Sequence, residues 1–119
     1  MAWALDARIP VVTVAAPAAL AEALAGGRAA LLAATPCPGS AAVAVEGFAA
    51  AEPHSPGCAC CQGRSPAAVA LDRLFQARVR GRVGWFDHVV AWAPDEAAQA
   101  AVRAALALDP LTKARFRAE

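Results

Sequence analysis

The sequence predicts an α/β fold of three layers, with a mainly parallel sheet between helices. Three observations predict it. Apolar, partly β-branched runs of strand length alternate with runs of helical period, in the order strand, helix, strand, strand, loop, helix, strand, helix. Right-handed crossovers turn that alternation into a parallel sheet. The 119 residues make one compact domain, Met1 to Glu119, and are too few for a second. No internal repeat or low-complexity linker interrupts the order. There is only a bias to alanine, which makes up about half of the 59% hydrophobic class, so the core must be thin and closely packed.

Ile9-Pro10-Val11-Val12-Thr13-Val14 reads as a buried strand. Pro17 to Ala25 follows as a short helix, with Leu20 and Leu24 four apart and Gly26-Gly27 ending the run. Ala29 to Ala34 and Ala41 to Val45 are both assigned as strands, although their alanine content blurs strand and helix. Ala51 to Arg64 carries Pro53, Pro56, Gly57 and Gly63 and reads as a loop. Ser65-Pro66 then supplies an N-cap and a first-turn proline for a helix that Gly81 closes. Its expected apolar face is Leu71, Leu74, Phe75 and Val79. Phe86 to Trp92 is a strand, and Pro94-Asp95 opens a helix with Ala98, Ala101, Val102, Ala105 and Leu106 on one side. Asp109-Pro110 repeats the cap signal before a final turn or two. Trp85, Phe86 and Trp92 are expected to supply the core bulk that alanine cannot, His88 reads as an ordinary strand histidine, and Trp3 precedes the first strand.

Composition excludes several classes. With 11 Lys+Arg against 10 Asp+Glu the net charge is +1, and the basic residues are scattered, which argues against nucleic acid as the main partner. Arg78, Arg80 and Arg82 form the single basic concentration and read as a solvated helix end complementing the helix dipole. The longest uncharged run, Ala29 to Val45, contains Pro36, Pro38, Gly39 and Ser40, so no membrane span is expected. Ile9 to Ala21 imitates an export signal, but Asp6 offsets Arg8 and two prolines interrupt the run. The acidic residues are dispersed, with no carboxylate pair for acid–base work.

The sharpest chemical signal is Cys58-Ala59-Cys60-Cys61, preceded by Gly57. Thiolates are strong, soft ligands for zinc and related ions, and a glycine-shaped loop can turn three sulfurs to one point. Cys37, in a second proline-rich stretch, and His54, four residues before Cys58, are candidate fourth ligands, as is water or a partner protein. The competing readings are inert buried thiols, thiol redox chemistry, and a nucleophilic Cys paired with His54 or His88. Clustered thiols without a disulfide framework make the cytoplasm the expected compartment.

Arg8-Ile9-Pro10-Val11-Val12-Thr13-Val14, Gly57-Cys58-Ala59-Cys60-Cys61, Phe86-Asp87-His88-Val89-Val90 and the stretch Asp109 through Arg117 occur in the order found in the CobW family of P-loop GTPases, proteins implicated in cobalt or zinc delivery. The chain resembles that family over nearly its whole length. The resemblance implies a Rossmann-like, P-loop-NTPase-like sheet and a Gly-Cys-x-Cys-Cys metal motif at Cys58, Cys60 and Cys61. The nucleotide machinery departs from the family pattern. Ala15-Ala16-Pro17-Ala18-Ala19-Leu20 stands where the Gly-Lys-Thr phosphate loop belongs, and Lys113 is the first lysine. Thr35-Pro36-Cys37-Pro38-Gly39 replaces the Asn-Glu-Phe-Gly region, and Ala91-Trp92-Ala93-Pro94 replaces Glu-Thr-x-Gly. The expectation is therefore a truncated CobW-like G domain, without GTP or catalysis. It would hold zinc or cobalt at Cys58, Cys60 and Cys61, with Cys37 or His54 completing the set. The alternative is a pseudo-GTPase acting through protein contacts, pairing with itself or with an intact CobW protein across an exposed edge or apolar face.

Overall fold

The computed structural model describes residues 7–34, 42–49 and 64–119. Five strands, β1 (Ile9–Val14), β2 (Ala29–Ala33), β3 (Ala44–Gly47), β4 (His88–Trp92) and β5 (Phe116–Ala118), alternate with α1 (Pro17–Leu24), α2 (Pro66–Val79), α3 (Glu96–Leu108) and α4 (Pro110–Arg115). The strands form one sheet in the order β3-β2-β4-β1-β5, and every pair is parallel. The expected three-layer α/β architecture is what the chain adopts.

Side-chain alternation along the strands divides the core between two faces. Ile9, Val11, Ala30, Leu32, Val89 and Ala91 point toward Leu71 and Leu74 of α2 and Val102 of α3. Val14, Leu31, Ala33, Val90 and Trp92 point the other way, against Leu20 and Leu24 of α1. The α1 crossover from β1 to β2 steps past β4 on one face, and the α3–α4 crossover from β4 to β5 steps past β1 on the other. No helix among the described residues is long and apolar enough to cross a membrane.

The helix ends follow their capping residues. The Ser65 hydroxyl accepts from the Ala68 amide at 3.2 Å, and Pro66 occupies the first turn of α2. Asp95 caps α3 through the Ala98 amide at 2.8 Å. At the far end of α2, Gly81 takes φ +70°; its amide donates to the Arg78 carbonyl and the Arg82 amide to the Ala77 carbonyl, the paired bonds of a Schellman turn. Arg28 is the described non-glycine residue with positive φ, at 62°. Asp87 holds it on two sides, donating its amide to the Arg28 carbonyl at 3.0 Å and placing its carboxylate 3.3 Å from Arg28 Nε.

Five details differ from the sequence reading. The third strand lies at Ala44–Gly47, three residues beyond the expected start, since alanine alone gives no register. The fourth begins at His88 rather than Phe86. Trp85 is 60% exposed, because Phe86 takes the core position and the neighbouring side chain is left outside. Val79 is 62% exposed, because the buried stripe Ala67, Leu71, Leu74 continues at helical spacing to Arg78. Beyond α4 the chain adds β5, a strand that the sequence did not predict; Phe116 is buried there, with its ring edge-on to Phe75 at 6.2 Å.

Leu71 is fully buried between α2 and the sheet, whereas Leu108 at the end of α3 is 76% exposed. Leu71→Ala is expected to lower stability by about 2–5 kcal/mol and Leu108→Ala by less than about 0.5 kcal/mol, measured as urea midpoints at constant m-value.

Candidate functional site

Parallel pairing sets the carboxyl ends of four strands in one row, Gly47 of β3, Ala33 of β2, Trp92 of β4 and Val14 of β1. The row is closed by backbone bonds. The Phe48 amide donates to Ala33, the Ala34 amide to Trp92, and the Ala93 amide to Val14, all at 2.9–3.0 Å. β1 and β4 are neighbours whose onward helices cover opposite faces, the arrangement that opens a ligand crevice at the carboxyl ends of an open α/β sheet.

What lines this crevice decides its chemistry. After β1 there are two residues, Ala15 and Ala16, before α1 begins at Pro17. A phosphate-cradling loop spans eight residues and ends in a lysine and a hydroxyl; here the turn presents methyl groups, and the N-cap Ala16 makes no side-chain cap bond. After β4, the Asp95 carboxylate is committed to capping α3, and Gln99 Nε2 donates to the Ala93 carbonyl at 3.3 Å. An open groove of about 890 Å³ runs beside β1 and β5 under α3, with Thr13, Gln99, Arg103 and Phe116 among its walls.

The sequence-predicted ligands Cys37, His54, Cys58, Cys60 and Cys61 lie outside the described residues. Their points of attachment are inside them. The segment that carries Cys37 leaves from Ala34, and the one that carries His54 and the other three cysteines leaves from Ala49, so both start from the adjacent β2 and β3 ends of the carboxyl row. Among the described residues no group of three or more His, Cys, Asp or Glu side chains could hold a metal ion.

The downstream end of the cysteine-bearing segment is Arg64, which is fixed by charge. Its Nε and Nη2 donate to the two carboxylate oxygens of Asp109 at 3.0 and 2.9 Å, and Nη1 lies 3.8 Å from Asp72. Asp72 is shared with Arg115, whose guanidinium also lies 4.3 Å from the Phe75 ring centre. Asp109 in turn caps α4, accepting from the Thr112 amide and hydroxyl, each at 3.0 Å. The Asp109 hydrogen bond raises the Arg64 pKa against the effect of burial. For Asp109, burial is the largest single influence and pushes the pKa up, but the Arg64 and Thr112 hydrogen bonds together bring it below the ordinary carboxylate value.

A second pair escaped the sequence reading. Asp87 Oδ1 lies 2.6 Å from His88 Nδ1, and that hydrogen bond, with Arg28 assisting, lowers the Asp87 pKa. The adjacency of Asp87 and His88 was visible in the sequence; the turn that lets neighbouring side chains meet was not. Comparison of the chain with protein-family models, curated proteins and solved structures returned no match.

Asp109 is depressed when folded, so its contribution is present above the ordinary carboxylate value and is lost as pH falls through the folded value. Asp109→Asn keeps a capping residue but removes the charge paired with Arg64, and is expected to cost about 1–3 kcal/mol at pH 7. The gap between wild type and variant should narrow as urea denaturation is repeated below about pH 4.

Proposed function

We propose that this chain is a non-catalytic, CobW-like metal-binding protein that holds zinc or cobalt(II) through Cys58, Cys60 and Cys61. Cys37 is the preferred fourth ligand and His54 the second choice. The observation that carries the reading is the placement of the two attachment points: both cysteine-bearing segments leave from adjacent strand ends, paired as Ala33 and Gly47. Thiolate donors with one position contributed from a second loop suit a four-coordinate ion. The two-residue turn between β1 and α1, with no lysine near it, supports a role without GTP hydrolysis.

Protein purified anaerobically without a metal-binding tag is expected to carry about one zinc or cobalt ion per chain by mass spectrometry, the stoichiometry of a single four-coordinate site. The double variant Cys58→Ser with Cys60→Ser should lose it. Metal content unchanged in that variant would overturn the reading.

The alternative, a protein-interaction role, draws on β3. Among the described residues this strand pairs with β2 alone, and Val43 and Val45 are exposed along it. An open apolar edge favours pairing with a second copy. Light scattering is then expected to give a dimer that Val45→Lys converts to a monomer; a wild-type monomer at high concentration excludes this role.

A further inference from the structure

The arginines at the end of α2 behave differently from those around Asp109. We infer that the C-terminal end of α2 and the loop after it bind a nucleotide unit, free or within a single strand, with a base stacked on the open side of Trp85 and phosphate held by Arg80 and Arg82.

Trp85 carries the stacking half of the argument. The Arg78 guanidinium carbon lies 3.6 Å from the Trp85 ring centre and 5.4 Å from that of Phe86. The indole therefore has one side covered by a planar cation, yet it remains 60% exposed. An exposed indole backed by a guanidinium offers its other side to a flat ring, and bases stack on such platforms regardless of their identity. Phe86 beneath is fully buried, so the platform rests on the core.

Arg80 and Arg82 carry the phosphate half, with Arg78 adding charge at the same helix end. Arg78 Nε is buried without a hydrogen-bond partner, and among the described residues neither Arg80 nor Arg82 forms an ion pair. Burial lowers the Arg78 pKa, and the Asp87 charge opposes this. That carboxylate is already engaged by Arg28 and His88. The Schellman turn at Gly81 folds Arg82 back against the helix end that carries Arg78 and Arg80. A helix C-terminus repels anions with roughly half an elementary charge, which three guanidiniums outweigh. The net charge of +1 does not oppose the site, because among the described residues Asp72, Asp109, Glu46 and Glu96 are paired with other arginines.

The test uses calorimetry and tryptophan fluorescence on the full chain, with AMP and an adenosine decamer as probes. Both are expected to quench Trp85 fluorescence, the decamer binding more tightly if the natural ligand is a strand and no more tightly if it is a free nucleotide. Two phosphates engaged on a strand give a slope of log K against log salt of about −1.4. Trp85→Leu should weaken binding about 5- to 160-fold, as loss of one stacked base does. Arg80→Glu with Arg82→Glu should abolish the binding. All three side chains are exposed, and a thermal melt checks that the variants fold. No binding of either probe at low salt, or affinities untouched by both variants, would overturn the site while leaving the cysteine reading as it stands.

Discussion

Everything in this fold hangs on β4. It is hydrogen-bonded in parallel to β2 on one side and β1 on the other, and Val89, Val90 and Ala91 have no exposed surface. A strand buried on both faces cannot fix its register by alternating apolar with polar residues, since a one-residue slip would still bury only apolar groups. Size fixes it here. Ala91 faces the helix pair α2 and α3, and Trp92 faces the single helix α1. Exchanging them would press an indole into the layer where Ala67, Ala68, Ala70, Ala98 and Ala105 bring helix and sheet close together.

Small residues allow that close approach but bury little surface each, so cohesion on this side falls to a few large side chains and to charge. Phe86, Phe116, Leu32, Leu71 and Leu74 are the fully buried bulk. Between α2 and α4 the contact is completed by Arg64 and Arg115 on Asp109 and Asp72, with Phe75 against Phe116. Breaking one partner of such a network leaves a mostly buried charge without its counterion, which makes the pairs costly to disrupt whatever their net contribution. The same clamp fixes Arg64, the first described residue after the cysteines.

The fold was legible where chemistry is local. Ser65-Pro66, Asp95 and Asp109-Pro110 marked helix starts that the structure reproduces, and the β-branched runs at Ile9 and Val89 gave the central strands. It was not legible where only alanine separated strand from helix, as at Ala44–Gly47, or where a three-residue strand depends on a partner a hundred residues away, as Phe116 does on Ile9. The sites divide in the same way. Four cysteines can be read from sequence as possible ligands, but which lie together depends on residues outside those described. The Asp87–His88 pair and the Arg64–Asp109 clamp depend on a turn and on a 45-residue separation, neither of which a periodicity expresses.

Near-neutral composition conceals an uneven sharing of charge among the described residues. Ten arginines and one lysine face ten carboxylates, and a uniform mixture would leave no region with a strong potential. The carboxylates are not shared evenly. Asp72 and Asp109 serve Arg64 and Arg115, Asp87 serves Arg28 and His88, Glu46 serves Arg73, and Glu96 serves Arg103. Arg78, Arg80 and Arg82 stand without such a partner at one helix end, Arg78 against the exposed indole of Trp85. Local fields are set by which charges are neutralised within about a Debye length, roughly 8 Å at physiological salt, and not by the sum over the chain. Among the described residues these three arginines therefore form no ion pair although the protein's charge is only +1, and a buried phenylalanine and an exposed tryptophan hold the guanidinium of Arg78 in place.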